Sequence, residues 1–138
     1  MSLRTFARIF GIAFLLIGLS GFIPGATTEH THPDVTLDAG LGKALGLFPV
    51  NVLHNIVHIA FGLWGLAAAR SYSASRGYAR GVAIIYALLM VMGLISAARI
   101  WTTFGLIPLY GNDVWLHALL AAVAAYFGFV HRDRDARV

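Results

Sequence analysis

The sequence predicts an all-α integral membrane protein, a bundle of four transmembrane helices. Three observations predict it. Hydrophobic residues make up 59% of the 138-residue chain and charged residues only 12%, where a soluble domain carries roughly a quarter charged. Mean hydropathy is +0.77. The apolar residues gather into four runs, about 6–23, 47–69, 78–101 and 114–130, and a helix needs roughly 17–25 such residues to cross the hydrocarbon core. One membrane domain, residues 1–138, accounts for all four.

The first run follows Arg4 and Arg8, as the core of a signal peptide would. No A-x-A-like cleavage site is visible after Pro24, so a retained span is expected. The long outer segment 25–46 carries Val35, Leu37, Leu41 and Leu45 at near-helical spacing. That predicts a short amphipathic helix on the membrane surface, although Gly40, Gly42 and Gly46 weaken it. His30 and His32 in the same segment read as solvated loop residues, with metal delivery or pH sensing as the functional alternative. The second run holds Asn51, His54, Asn55 and His58. Tyr72, Ser73 and Ser75 look like ordinary connector residues. The third run carries Ser96 and Arg99 towards its end, and Asp113 and His117 open the fourth. The tail 131–138 alternates Arg and Asp and reads as a solvated end.

Orientation follows from the basic residues. Arg4, Arg8, Arg70, Arg76, Arg80, Arg132, Arg134 and Arg137, eight of the ten, fall on one side of the four runs; Lys43 and Arg99 are the exceptions. Cytoplasmic segments carry this excess, so both termini are expected in the cytoplasm, with Trp101 and Trp115 at the outer interface. The net charge of +4 does not point to nucleic acid, because the basic residues sit at the ends of apolar runs and form no patch. There are no cysteines, which excludes disulfides, thiolate metal sites and dithiol redox chemistry.

The two halves resemble each other weakly. Ala7-Arg8 recurs as Ala79-Arg80, and Gly21-Phe22-Ile23 as Gly93-Leu94-Ile95. Gly46-Leu47-Phe48-Pro49-Val50 followed by Asn51 and His54 recurs as Gly105-Leu106-Ile107-Pro108-Leu109 followed by Asn112 and His117. Such copies would be parallel two-helix repeats with His54 and His117 equivalent. Small and polar residues also form seams at steps of three or four. Span two has Asn51, His54, His58, Gly62, Gly65 and Ala69; span four has Asp113, His117, Ala121, Ala124 and Gly128; span one has Gly11, Gly18, Gly21 and Gly25. Seams of this kind let membrane helices approach closely, so the polar groups are expected to face the bundle interior.

His54, His58, Arg99, Asp113 and His117 are thus expected to share one layer in the outer half. Several readings stay open. In the structural one, Asp113 pairs with Arg99, and Asn51, Asn55, Ser96 and the imidazoles hydrogen-bond across helices. In the second, His54, His58, Asp113 and His117 ligate Zn, Cu, Fe or Mn, with Arg99 repelling the cation unless it pairs outward. In the third, His54 or His58 and His117 are axial ligands of haem. A fourth has Arg99 anchor a lipid, quinone or anion. The segment His54-Asn55-Ile56-Val57-His58 also has the spacing of the zincin motif, but Asn55 stands where that motif needs its glutamate base.

The stretch Pro49–His58, with Gly62, Gly65-Leu66, Asn112-Asp113 and Trp115-Leu116-His117, resembles an uncharacterised family of small four-helix bacterial membrane proteins known only as a domain of unknown function. The resemblance runs from the first span to Gly128. It implies a four-helix fold in the bacterial inner membrane and carries no activity. A looser similarity to DoxX-like proteins hints at an accessory role beside membrane oxidoreductases. The glycine seams and the small soluble surface motivate the leading expectation, a non-catalytic accessory or scaffold subunit that packs against other membrane proteins or itself. A metal-binding protein or metal-dependent enzyme is the first alternative, and a membrane cytochrome the second.

Overall fold

The computed structural model describes residues 1–132, so the solvated end expected for the tail lies outside the described residues beyond Arg132. The chain is mostly helical. In order it forms α1 (Leu3–Ser20), β1 (Thr27–Glu29), β2 (Gly42–Ala44), β3 (Phe48–Val50), α2 (Val52–Ala68), α3 (Tyr72–Gly93), an irregular 3-10 segment (Ala97–Thr102), and α4 (Asn112–Ala125), which runs on through a π turn (Tyr126–Val130). Two of these helices, Leu3–Ser20 and Asn112–Val130, are long and apolar enough to cross a membrane; Val52–Ala68 is apolar but shorter. The 22-residue α3 opens on the polar turns of Tyr72–Arg80.

Capping side chains set several helix starts. The Ser2 hydroxyl accepts from the Thr5 N–H, the Asn51 carbonyl oxygen from His54 N–H, and the Ser71 hydroxyl from Ala74 N–H; each such bond is worth about 1 kcal/mol. These caps correct two predicted spans. The second helix begins at Val52, not Leu47, because Phe48–Val50 is extended in β3 and Asn51 then caps the helix. The third begins at Tyr72, where Ser71 caps it and the Ser75 hydroxyl donates to the Ala68 carbonyl. It ends at Gly93, well before Trp101, and Ala98 and Arg99 then take left-handed backbone angles that no helix continues. Ser96 and Arg99 consequently lie beyond the end of α3, at and within the irregular 3-10 segment.

The segment 25–46 does not form the expected surface helix. It contributes to a three-stranded antiparallel sheet in the order β1-β2-β3, with Thr27 opposite Ala44 and Gly42 opposite Val50. The near-helical apolar spacing is broken where Gly40, Leu45 and Gly46 adopt positive φ; Leu45 lies in the β2–β3 turn, 82% exposed.

Glycines let the helices touch. A Cβ on Gly11 of α1 would stand 2.8 Å from the Leu66 nitrogen of α2, and one on Gly18 would strike Asn55 and Ile59. Between α3 and α4, a Cβ on Gly128 would meet the Arg80 backbone, and one on Gly93 would meet Leu109 and Val114. A buried aromatic column fills the interior. Phe6 stacks on Phe127 at 4.7 Å between ring centroids, and Phe14 meets Tyr86 at 5.4 Å. At the end away from the sheet, arginines cover helix C-terminal carbonyls. Arg4 donates to Ala69, and both Arg76 and Arg80 donate to Gly128 in the π turn, a favourable place for a cation beside a helix dipole.

Candidate metal centre

The layer at the sheet end of α2 and α4 is built on Asn51. This residue is fully buried, and besides capping α2 it donates from Nδ2 to the Leu37 carbonyl at 2.9 Å and the Leu106 carbonyl at 2.7 Å. It therefore ties the segments around Leu37 and Leu106 to the start of α2. One turn on, His54 projects inward, and His58 follows on the same face with its ring centroid 4.6 Å away. From α4 come Asp113 and His117, also one turn apart. His54, Asp113 and His117 converge so that one ligand atom from each lies within 4.8 Å of the others, and all three side chains are buried.

The unpartnered atoms define the site's chemistry. His54 Nδ1, His58 Nδ1, His117 Nδ1, Asp113 Oδ2 and both amide atoms of Asn55 are buried without a hydrogen-bond partner among the described residues. Asp113 Oδ2 stands 3.4 Å from His117 Nε2, an ion-pair separation without hydrogen-bond geometry. Burying an unmet polar group costs about 1–3 kcal/mol, so a native cluster of them asks for a ligand or solvent. Tyr86 sets its ring edge-on to His117 at 5.0 Å, and Phe14 stacks on His58 at 5.7 Å. These rings fix the imidazoles without occupying their nitrogens.

The expected layer is brought together only in part. Arg99 turns away from it. Its Nη2 donates to the Asp34 carbonyl at 2.5 Å, and its Nε lies 4.0 Å from the Asp34 carboxylate. Trp101 Nε1 also donates to that carboxylate at 2.9 Å, and the Thr102 hydroxyl to the Asp34 carbonyl. The pairing of Asp113 with Arg99 is thus replaced by Arg99 with Asp34, because the chain leaves its helix at Gly93. Ser96 is exposed. The cross-helix bonds expected for Asn55 are not made among the described residues.

His30 and His32 do not project as free loop residues. His30 Nε2 is 2.7 Å from the Tyr110 hydroxyl, and His32 stacks on the Tyr110 ring at 4.2 Å and meets Trp101 edge-on. Partial burial, then Lys43 and His32, lower the His30 pKa, while burial pushes the Tyr110 hydroxyl up to about 12. Asp34, Tyr110 and Tyr86 carry no local pattern that assigns them to the site; Asp34, two residues after His32 in the chain, is the nearest to a signal.

Two imidazoles and a carboxylate are a donor set for Zn, Fe or Mn that leaves positions open for a further ligand. A tetrahedral ion with bonds of about 2.0–2.1 Å holds its donors about 3.3 Å apart. The donor atoms here lie within 4.8 Å of one another, so an ion of that kind would draw them closer.

The model of a family described as a domain of unknown function (DUF4383) matches residues 4–130. No curated protein and no solved structure matches the chain.

Proposed function

The chain belongs to this family of unknown function, DUF4383, and on that premise we propose that it is a four-span bacterial inner-membrane protein holding a transition-metal ion between His54, Asp113 and His117. One observation carries the reading: three buried ligand groups from two helices converge within 4.8 Å while retaining unpartnered nitrogen and oxygen atoms. The engagement of Arg99 with Asp34 removes the positive charge that would oppose a cation. His58, beside His54, is positioned as a further donor or as a neighbour that tunes the site. The donors suit Zn, Fe, Mn or Cu(II), and no thiolate is present to favour softer ions. The reading assigns binding and no catalytic step.

Both termini inside is the orientation we propose. The arginines on helix carbonyls at the end away from the sheet support it, since cytoplasmic ends collect basic residues. We also read the halves as a duplication. The 72-residue offset that aligns Ala7-Arg8 with Ala79-Arg80 pairs buried Phe6 with Tyr78 and buried Phe14 with Tyr86.

Two other readings are weaker. The glycine seams that suggested an accessory subunit are occupied by contacts within the chain: Gly11 and Gly18 against α2, Gly128 against α3. A haem between His54 and His117 would need a flat slot where Asp113 stands.

Elemental analysis of protein purified in mild detergent, with Co²⁺ titration of the metal-free form, tests the metal reading. About one ion per chain and a ligand-field absorption band are expected, both lost in His54→Ala/His117→Ala. Wild-type Co²⁺ binding indistinguishable from that of the double variant sinks it.

A further inference from the structure

At the end away from the sheet, Arg76 and Arg80 converge on one atom. They stand one turn apart on α3, and Nε of each donates to the Gly128 carbonyl, at 3.3 and 2.9 Å. Gly128 lies in the π turn that ends the fourth helix, where helix carbonyls lack intrahelical partners. Glycine permits the approach, since a Cβ there would stand 3.0 Å from the Arg80 backbone nitrogen and from its Cγ. Both side chains are held from behind. Arg80 lies over the Phe129 ring, 5.2 Å from its centroid, and Arg76 Nη1 donates to the Tyr72 hydroxyl. Two like charges are thereby pinned together, which is unfavourable unless an anion joins them. Both Nη2 groups and Arg80 Nη1 have no acceptor among the described residues. The described acidic residues, Glu29, Asp34, Asp38 and Asp113, all lie at the sheet end. Ile84 and Leu88 continue the step of four from Arg76 and Arg80 on the same face of α3, and they are 63% and 57% exposed. A guanidinium pair thus heads an exposed apolar stripe.

We propose that this face binds an anionic phospholipid of the inner leaflet, its phosphate on the guanidinium groups of Arg76 and Arg80 and an acyl chain along Ile84 and Leu88. The inference rests on the membrane placement and orientation proposed above and is independent of the metal. Charge and shape select the occupant. A phosphate presents several acceptor oxygens to the planar N–H forks of two arginines, at the geometry in which arginine binds anions best. A zwitterionic lipid presents the same phosphate but adds an ammonium group that the arginine pair repels, so a net negative head is favoured. Free phosphate would meet the arginines and leave the stripe unused. From Arg80 to Leu88 the helix rises about 12 Å, most of the roughly 15 Å depth of one hydrocarbon leaflet. One lipid therefore spans both features, head at the guanidinium pair and chain on the stripe.

Native mass spectrometry of the full chain in mild detergent tests this, with dioleoyl phosphatidylglycerol, dioleoyl phosphatidylcholine and inorganic phosphate as probes. At equal concentration, phosphatidylglycerol should be retained about tenfold more than phosphatidylcholine. Arg76→Gln/Arg80→Gln should abolish that preference. Arg8→Gln/Arg70→Gln, which removes the same charge from the same end, should keep it. Equal loss in the two double variants means general attraction to a basic surface and overturns the site. Inorganic phosphate that displaces the lipid at equal concentration overturns the lipid assignment in favour of a free anion. Asp133→Asn/Asp135→Asn should leave the preference as it is; a preference seen only in that variant makes the tail the native counter-anion and overturns the proposal. Helix content by circular dichroism checks the fold of each variant. Should Arg76→Gln/Arg80→Gln lose helix content, Arg76→Lys/Arg80→Lys decides, since it keeps the charge and loses the planar fork. A preference reduced severalfold there upholds the site, and an unchanged one overturns it. Alkaline carbonate extraction of native membranes reads the placement separately. Release of the chain overturns the membrane reading and the lipid site together, whereas a retained chain without lipid preference overturns the lipid site alone.

Discussion

Two polar layers adjoin at the sheet end of this molecule, and they are assembled by opposite rules. In the cap formed by residues 25–51 and 94–111, polar groups find each other. Asn51 joins Leu37 and Leu106, Asp34 receives Arg99, Trp101 and Thr102, and His30 meets Tyr110. Its one buried atom without a hydrogen bond among the described residues, Arg99 Nε, still faces the Asp34 carboxylate at 4.0 Å. In the centre beneath, the imidazoles, Asp113 and Asn55 are more deeply buried than Asp34 and Arg99, yet six of their atoms have no partner among the described residues. Satisfied polar networks rigidify a fold, whereas unmet buried groups burden it unless something fills them. The cap reads as architecture and the centre as a site.

The sharpest way to break this contrast is to remove the cap's hub. Asn51→Ala deletes an N-cap and leaves two carbonyls without a donor. A loss of about 2–4 kcal/mol is expected from a cap and two hydrogen bonds, read as a fall in unfolding midpoint in mild detergent. A change under about 1 kcal/mol would mean that the cap does not hold the start of α2.

The next effect belongs to the centre and has the opposite sign. Adding Zn²⁺ to metal-free protein should stabilise it by about 2.7 kcal/mol when the free ion is a hundredfold above its Kd. His54→Ala/His117→Ala should show no such gain. Equal stabilisation of both proteins would place the bound ion elsewhere.

A smaller effect tests whether the unmet atoms are a burden. Asn55 is 1% exposed with both amide atoms unpaired among the described residues, packed against Gly21 at the C-cap of α1. Replacing it by leucine, of similar size, removes two unmet polar atoms, so Asn55→Leu should stabilise the metal-free protein by about 1 kcal/mol. Destabilisation would show that Asn55 has a native partner, such as water, and that the centre resembles the cap after all.

This contrast also explains what could be read from the chain. The spacing of Asn51, His54, His58, Gly62 and Gly65 places one face of α2, and all five are buried. Asp113 and His117 follow by the same rule on α4. Helical periodicity is local, so one sequence suffices. The cap rests instead on contacts between segments some 65–80 residues apart, such as Asp34 with Arg99 and His30 with Tyr110. Nothing in the local pattern announces them. Its strands are three residues long, too short for alternation to register, and left-handed turns at Leu45 and Arg99 defeat patterns that look helical. The start of α3 was hidden for another reason: a hydropathy window passes over the polar turn after Ser71, although that serine is itself a capping signal.

The smallest expected effect sharpens the comparison within the cap. His30 has its pKa lowered by burial first, then by Lys43 and His32. Its unfolded value is about 6.5, so the unfolded chain binds more protons than the folded one. The contribution of His30 is therefore present above about pH 6.5 and is lost as pH falls through the lower folded value. Protonation does not break the contact with Tyr110. A charged ring still donates from Nε2 to the phenol oxygen 2.7 Å away, and the Tyr110 hydroxyl, pushed up to about 12, stays neutral. What changes is first the desolvation of the charged ring, which salt does not relieve, and second its repulsion from Lys43, which added salt screens. Unfolding midpoints at pH 7.5 and pH 5 should therefore converge slightly in His30→Gln, and by a smaller amount in Lys43→Gln, at low ionic strength. At high salt the Lys43→Gln effect should vanish while the larger part of the His30→Gln effect remains. If His30→Gln leaves the low-salt slope untouched, the acid sensitivity of the protein lies outside this pair of cap residues.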